Sequence, residues 1–226
     1  MKDLFLSYGI KIDKKAEERF LSYYDLLVFY NEKFNITAII EKKDVYIKHF
    51  IDSALGEKFI NGDKLIDIGT GGGFPSLPLK ILRPELKVTL MDATLKKCEF
   101  LKTVIKELKL DNCEVICGRA EEYAFDSNFR EKYDFAVARA VARLNILCEY
   151  VMPFVKVNGE FIAYKGDAED EIKEAENAVK TLGGKVDKVE KFSLSGAERT
   201  FVIIKKERNT PDIFPRKNGV IRKRPL

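Results

Sequence analysis

The feature that most constrains this chain is a glycine-rich run, Leu65-Ile66-Asp67-Ile68-Gly69-Thr70-Gly71-Gly72-Gly73-Phe74-Pro75. A short apolar strand that runs straight into glycines lets the backbone turn sharply. It also admits a ligand close to the main chain at the carboxyl edge of a parallel sheet. The downstream sequence supplies such a sheet. The segments KVTLMD (87–92), CEVICG (113–118), YDFAVARA (133–140) and GEFIAYK (159–165) are strand-like. Helix-length stretches follow near 75–82, 94–110, after 118, at 144–151 and at 168–182. That alternation predicts parallel strands covered by helices on both faces. The last two strands depart from it: one near 185–192 and TFVIIKK (200–206) flank the short link SLSGAE. A parallel crossover needs a dozen or more residues, so this pair must be antiparallel.

The first sixty residues read as helices. Asp13 can cap a segment with apolar residues at Phe20, Tyr24, Leu27, Val28 and Phe34, and Asn35 and Thr37 are poor interior residues that end it. Asp44 is expected to cap a second amphipathic helix through Val45, Ile47, His49, Phe50, Ala54, Leu55 and Phe59, broken at Asn61-Gly62. The expected organisation is a helical N-terminal extension (1–62) packed on a core (63–206), then a basic tail (207–226), all within one structural unit.

Charge is unevenly spread. The formal net charge is +4, yet from Lys205 onward eight Lys/Arg face two acids, so the tail carries +6 and the rest is slightly acidic. A compact basic block suggests a polyanion partner, or it only solubilises the chain. Pro211, Pro215 and Gly219 argue against a helix there. No apolar run approaches the ~18 residues that cross a bilayer, and the start lacks a signal-peptide pattern, so a cytoplasmic, non-membrane chain is expected. Cys98, Cys113, Cys117 and Cys148 form no C-x-x-C pair, and His49 is the only histidine, so no metal site is expected.

Spacing within the glycine loop separates two cofactor classes. A dinucleotide fingerprint, G-x-G-x-x-G, would place its third glycine at position 74, where this chain has Phe74. The observed glycines are Gly69, Gly71 and Gly73, with Asp67 two residues ahead. A carboxylate there suits an amino group or sulfonium and disfavours a pyrophosphate. Asp92, at the tip of the second strand, can accept both hydroxyls of an adenine ribose, or it can cap the helix that follows, a role Thr94 also fits. Gly118-Arg119-Ala120-Glu121 follow the third strand, where backbone N–H groups and a carboxylate can meet an adenine edge. These loops describe a nucleoside site with no provision for phosphate, which points to S-adenosylmethionine over NAD.

At this level of detail the chain resembles the RsmG (GidB) family, bacterial methyltransferases that modify N7 of a guanine in the decoding-region loop of 16S rRNA. The resemblance rests on NEKFNIT (31–37), KHFIDSA (48–54), LIDIGTGGGFPSLPLKILRP (65–84), DATLKK (92–97), GRAEE (118–122), ARAVARL (138–144) and RTFVIIKK (199–206). These span the chain in order. Departures at Thr70-Gly71-Gly72, Ser76 and Asp92-Ala93-Thr94 fall where members vary among small residues. The resemblance implies an α/β class I methyltransferase fold, Rossmann-like, with a seven-stranded, mostly parallel sheet and an antiparallel terminal hairpin. It places the cofactor against Gly69, Phe74, Asp92, Ala93, Thr94, Ala120, Glu121 and Arg139. Asn35, His49, Arg119 and Arg139 are carried to the reaction cleft, and 16S rRNA or the small subunit is the implied partner.

The residues fit that chemistry. Guanine N7 has an in-plane lone pair and no proton to lose, so methylation there needs alignment and no general base. After the fourth strand the chain reads Ala138-Arg139-Ala140-Val141, not the [DN]-P-P-[YF] that accompanies methylation of an exocyclic amine. No proline is followed by cysteine, the usual setting of a nucleophile for pyrimidine carbon methylation.

Arg139 can donate to guanine O6, can hold the methionine carboxylate of the cofactor, or can form a surface ion pair. Arg119 can contact phosphate, and His49 is either functional or a packed structural residue. Asn35 either serves the cleft or ends its helix, and Phe74 either meets the cofactor or belongs to the core. The tail cations Lys205, Lys206, Arg208, Arg216, Lys217, Arg222, Lys223 and Arg224 can neutralise phosphates without reading sequence. Rival readings are a small-molecule or protein methyltransferase, an NAD-dependent oxidoreductase and a non-catalytic RNA-binding protein. A monomer is the expected state.

Overall fold

The computed structural model describes all 226 residues. Seven strands form one sheet: β1 (Lys64–Ile68), β2 (Lys87–Asp92), β3 (Cys113–Cys117), β4 (Tyr133–Arg139), β5 (Val155–Lys165), β6 (Gly184–Leu194) and β7 (Ala197–Lys206). Their order is β3-β2-β1-β4-β5-β7-β6. All neighbours pair parallel except β7, which runs antiparallel to both β5 and β6. The expected sheet and closing hairpin are therefore present.

Strand β1 lies between β2 and β4, where the winding reverses. Open α/β sheets bind ligands at the carboxyl end of such a switch point. The alternation of side chains along β1 decides what happens there. Leu65 packs with the N-terminal helices, and Ile66 and Ile68 pack with the opposite layer. Asp67, which shares the Leu65 face, is carried to the tip of the strand with no exposed surface.

Ten helices flank the sheet: α1 (Lys2–Ser7), α2 (Lys14–Asn31), α3 (Lys42–Val45), α4 (Asp52–Ala54), α5 (Ser76–Leu82), α6 (Leu95–Glu107), α7 (Ala120–Tyr123), α8 (Leu144–Val151), α9 (Glu169–Thr181) and α10 (Asn218–Lys223). One layer joins Phe5, Phe20, Tyr23, Leu27 and Phe50 to Leu77 of α5, Phe100 of α6 and Leu65 of the sheet in a continuous apolar cluster. The other joins Leu147 of α8, Ala175 of α9 and Ile221 of α10 to Ile66 and Phe161.

Helix α2 starts at its expected cap, since Asp13 Oδ1 accepts from Ala16 N at 2.6 Å. Its buried face is Ala16, Phe20, Tyr23 and Leu27, with Tyr24 and Val28 turned half out. The helix stops at Asn31, four residues before Asn35. The Asn31 Oδ1 accepts from Ile36 N at 2.8 Å and Thr37 N at 2.9 Å, which folds the following chain back.

The expected second helix, capped by Asp44 and continuous to residue 59, is not what forms. Glu41 is the cap, and its Oε2 accepts from Asp44 N at 2.9 Å. The Asp44 carboxylate is engaged instead by Lys48 Nζ at 2.8 Å. Tyr46–Ile51 then winds as a π-helical turn before α4, and a 3₁₀ turn covers Glu57–Phe59. Widened turns of this kind recur at functional sites.

The tail also departs from expectation. It forms α10 despite Gly219, because Pro215 lies ahead of the helix and Ile221, fully buried, packs with the α8 layer. Tertiary burial outweighs the modest propensity cost of one glycine. Glu149, with no exposed surface, receives Arg216 Nε at 2.8 Å and Nη2 at 2.7 Å. Arg130 donates to the carbonyls of Thr210, Pro211 and Phe214. Lys206 is also fully buried and donates to Met152 O at 2.6 Å. Residues 207–226 are thus built onto the core, and neither Lys206 nor Arg216 is free to meet a polyanion.

Candidate active site

The glycine loop turns where the sequence places it. Gly69 has φ +72°, and a Cβ there would lie 2.7 Å from Val141 Cγ2. Gly73 has φ +95°, and a Cβ would lie 2.5 Å from both Leu77 Cδ1 and the Tyr23 hydroxyl. Both strain and space exclude a side chain at these two positions. The Tyr23 hydroxyl donates to the Gly72 carbonyl, so helix α2 pins the loop from outside.

Beneath the loop, Asp67 Oδ2 accepts from Thr70 Oγ1 at 2.8 Å and Ser76 N at 3.2 Å. Its Oδ1 is buried and has no partner. Burial pushes the Asp67 carboxyl up to about 6, against the hydrogen bonds from Ser76 and Thr70 that favour its charge. Asp92 uses its two oxygens separately. Oδ2 accepts from Gly71 N at 2.9 Å and Oδ1 from Thr94 N at 2.9 Å. Thr94 takes the cap position of α6 without a side-chain bond.

A pocket of about 130 Å³ opens beside this carboxylate. Gly69, Asp92, Ala93, Arg119, Ala120, Glu121 and Val141 are on its walls. The Glu121 Oε1 is buried without a hydrogen-bond partner, and Arg119 Nη1 lies 3.9 Å away. Arg119 is more than half exposed and sits on the rim of this pocket, apart from the other residues expected at the cleft.

Around Val141 the wall turns into a second, larger cleft of about 560 Å³, lined by Lys48, His49, Asp52, Arg139, Lys165 and Arg199 among others. Arg139 ends β4 and points under α4. Its Nη1 donates to Asp52 Oδ2 at 2.7 Å and to Lys48 O at 3.0 Å. The π-helical turn sets Lys48 O where Arg139 reaches it. Asp52 is nearly fully buried, and its Oδ1 accepts from Arg199 Nε at 3.2 Å, so one carboxylate holds two guanidinium groups.

His49 stacks on Phe74 with centroids 4.6 Å apart, and Arg139 lies over the same ring at 5.1 Å. Arg139 Nη2 lies 3.1 Å from His49 Nδ1. Nδ1 also lies 3.1 Å from Lys48 O, and Nε2 lies 2.9 Å from Thr37 Oγ1. A ring that accepts from Arg139 at Nδ1 donates from Nε2 to Thr37, and a ring that donates Nδ1–H to Lys48 O accepts at Nε2. Burial, reinforced by Arg139, lowers His49 to about 3, which keeps the ring neutral.

Of the four residues expected at the cleft, His49 and Arg139 are brought together here. Asn35 is exposed and does not join them. Phe74, also expected against the cofactor, faces this cluster and stacks on Tyr23 and His49. Asp52, Arg199, Lys48 and Tyr23 are the members that sequence reasoning missed. The i, i+3/i+4 spacing of Lys48-His49-Asp52 within KHFIDSA was the one available signal for the first shared face.

The sheet order, the antiparallel β7 and a pocket at the switch point beside an acid at the tip of β2 define a class I methyltransferase. Solved structures share the fold. The ribosomal protein L11 methylase of Lactobacillus delbrueckii subsp. bulgaricus superimposes with a TM-score of 0.56 at 15% identity, over 71% of this chain and 79% of that one. M. jannaschii TYW2 in complex with AdoMet gives 0.55 at 18% identity, over 70% and 76%.

Sequence is more specific. The GidB family model, described as rRNA small subunit methyltransferase G, matches residues 16–202, and this chain belongs to that family. The ribosomal RNA small subunit methyltransferase G of Brevibacillus brevis is 46% identical over 99% of this chain and 97% of its own length. That of Acetivibrio thermocellus is 44% identical over 97% and 92%.

Proposed function

We propose that the protein methylates N7 of one guanine in the decoding-region loop of 16S rRNA, with S-adenosylmethionine as methyl donor. The observation that carries this reading is the junction at Val141. There a pocket with a ribose-type acid, Asp92, and an unpartnered carboxylate oxygen on Glu121 meets a cation-lined cleft. Two ligands can touch across that wall.

The residues suit the cofactor. Asp67 Oδ1 and Glu121 Oε1 are buried acceptors without partners, matched to an ammonium and to an adenine amino group. Asp92 keeps lone pairs for a ribose diol, and backbone at Ala93 and Ala120 lines the pocket. When bound, the cofactor supplies an electrophilic methyl on a sulfonium. The chain positions and shields. Arg139 retains donors toward the cleft for guanine O6, and no side chain need take a proton, which agrees with a neutral His49. We assign the working state to a cytoplasmic monomer that acts on rRNA or the small subunit.

Transfer of labelled methyl to 16S rRNA and to small subunits from cells lacking the protein tests this, with the product mapped by cleavage at N7-methylguanine. A single cleavage in the decoding-region loop is expected. Label elsewhere, or on another base, overturns the assignment.

A further inference from the structure

The tail that reads as an RNA-binding arm reaches the nucleoside pocket. Beyond the loops of β1, β2 and β3, the walls of that pocket include Tyr150, Asn218 and Arg222. The last two lie one turn apart on α10, so they share a face. The pocket is therefore closed on one side by residues from the far end of the chain.

This wall is fixed in place. Ile221, between them in sequence, is fully buried in the α8 layer, and the segment is moored by the Arg216–Glu149 pair and by Arg130. Tyr150 OH donates to Asn218 Oδ1 at 3.1 Å, which leaves the Asn218 amide N–H groups unused. Arg222 is exposed and lies within hydrogen-bond reach of the Tyr150 hydroxyl, which leaves most of its donors free. Its planar guanidinium offers both donors and a stacking face.

Adenine presents ring-nitrogen acceptors, one amino donor and two faces. The sheet-side wall provides an acceptor, Glu121 Oε1, and the ribose acid Asp92. Its one side-chain donor, Arg119, is on the rim and faces Glu121, and Asn218 and Arg222 add donors from the opposite wall.

We propose that Asn218 and Arg222 are cofactor-binding residues, forming the outer wall that holds the adenosine moiety of S-adenosylmethionine. This rests on the cofactor reading above. It removes Arg222 from the set of cations that serve only RNA. It also makes the C-terminal segment part of the cofactor site.

Calorimetric titration of S-adenosylmethionine and S-adenosylhomocysteine into the full chain tests it. The wild type is compared with Asn218→Ala, Arg222→Ala and the double variant, and with Asn209→Ala and Ile213→Ala as exposed controls on the same segment. The double variant should bind both ligands at least tenfold more weakly, while its thermal midpoint without ligand falls no further than that of Tyr150→Phe, which loses the same Tyr150–Asn218 hydrogen bond. Arg222→Lys should recover part of the loss, because charge is restored without the planar face. Controls should match the wild type. A double variant with wild-type affinity overturns this inference alone. A wild type that binds neither ligand overturns the cofactor reading together with it. Equal losses in the controls would show a general loosening of the segment and would also overturn it.

Discussion

Arg139 and Asp52, 87 residues apart in sequence, meet at 2.7 Å on the wall of the larger cleft. Asp52 also holds Arg199 at 3.2 Å, so it sets two cations at once. Replacing Asp52 by Ala leaves both guanidinium groups without their buried counter-charge. Breaking a buried pair costs roughly 3–5 kcal/mol, and partial exposure of both arginines reduces that to about 2 kcal/mol here. Urea denaturation measures it. In methyl transfer, Asp52→Asn should lose about a hundredfold in kcat/KM, the scale of a misplaced positioning group. Near-normal turnover with Asp52→Asn would show that Arg139 needs no fixed orientation.

Asp67 gives a pH dependence. Its carboxyl is raised to about 6, so in the free protein it gains a proton as pH falls through that value. An ionised Asp67 attracts the cofactor's cation and a neutral one does not. Affinity for S-adenosylmethionine should therefore rise with pH up to about 6 and level off above it, and Asp67→Asn should flatten the curve. The same group affects folding with the opposite sign. Its folded value lies above the unfolded one, so its contribution favours the folded state below the usual carboxylate range and is lost as pH rises through 6. Calorimetric titrations of the cofactor between pH 5 and pH 8 read the binding effect, and urea denaturation from the usual carboxylate range up to pH 7 reads the folding effect.

His49 should be silent. Held near 3 by burial and Arg139, it stays neutral above pH 5. Rates of methyl transfer should carry no histidine titration between pH 6 and pH 8. His49→Gln should leave the shape of the profile unchanged even where it lowers the rate, since an amide can still accept from Arg139 and donate toward Thr37. A bell-shaped profile that His49→Gln abolishes would make the ring an acid–base group.

The strands were legible because a sheet covered on both faces needs short, nearly continuous apolar runs, and β2 matches its sequence boundaries residue for residue. The cluster around Arg139 was only half legible. KHFIDSA announced a shared helix face, yet the π-helical turn within it is completed by Arg139, a partner far along the chain. Arg199 reaches Asp52 across 147 positions, which no local pattern reports. Composition marked the tail as basic. It could not report that Arg216 faces Glu149, or that Asn218 faces a pocket built 100 residues earlier, because those facts belong to packing.

Gly73 should not accept a side chain. Its φ of +95° lies in the region that favours glycine, and an added Cβ would press on Leu77 and Tyr23. Left-handed backbone costs an ordinary residue roughly 1–2 kcal/mol, and overpacking adds about 1–3 kcal/mol. Gly73→Ala is therefore expected to lose at least about 2 kcal/mol in chemical denaturation. Tyr23→Phe with Gly73→Ala should recover some of it, because the hydroxyl is one of the two atoms in the way. Full additivity of the two changes would place the strain elsewhere.

The basic tail remains a candidate for RNA contact, with fewer members than its composition suggests. Lys206 and Arg216 are committed inside the protein, and Arg222 faces the nucleoside pocket. Lys205, Arg208, Lys217, Lys223 and Arg224 remain exposed. Truncation after Glu207 is therefore a poor test. It removes Phe214 and Ile221 from the core and leaves Glu149 buried without Arg216, so it destabilises the fold and obscures any effect on RNA. Point substitution avoids this. If Lys217, Lys223 and Arg224 each neutralise one phosphate, the triple alanine variant should reduce the slope of log affinity against log salt by about 2 to 3. Filter binding to 16S rRNA across salt concentrations reads it directly. Weaker binding with an unchanged slope would mean that these residues shape the surface without contacting phosphate. The half-buried Lys48 and the exposed Arg143 of the cleft would then be the place to look for the missing charge.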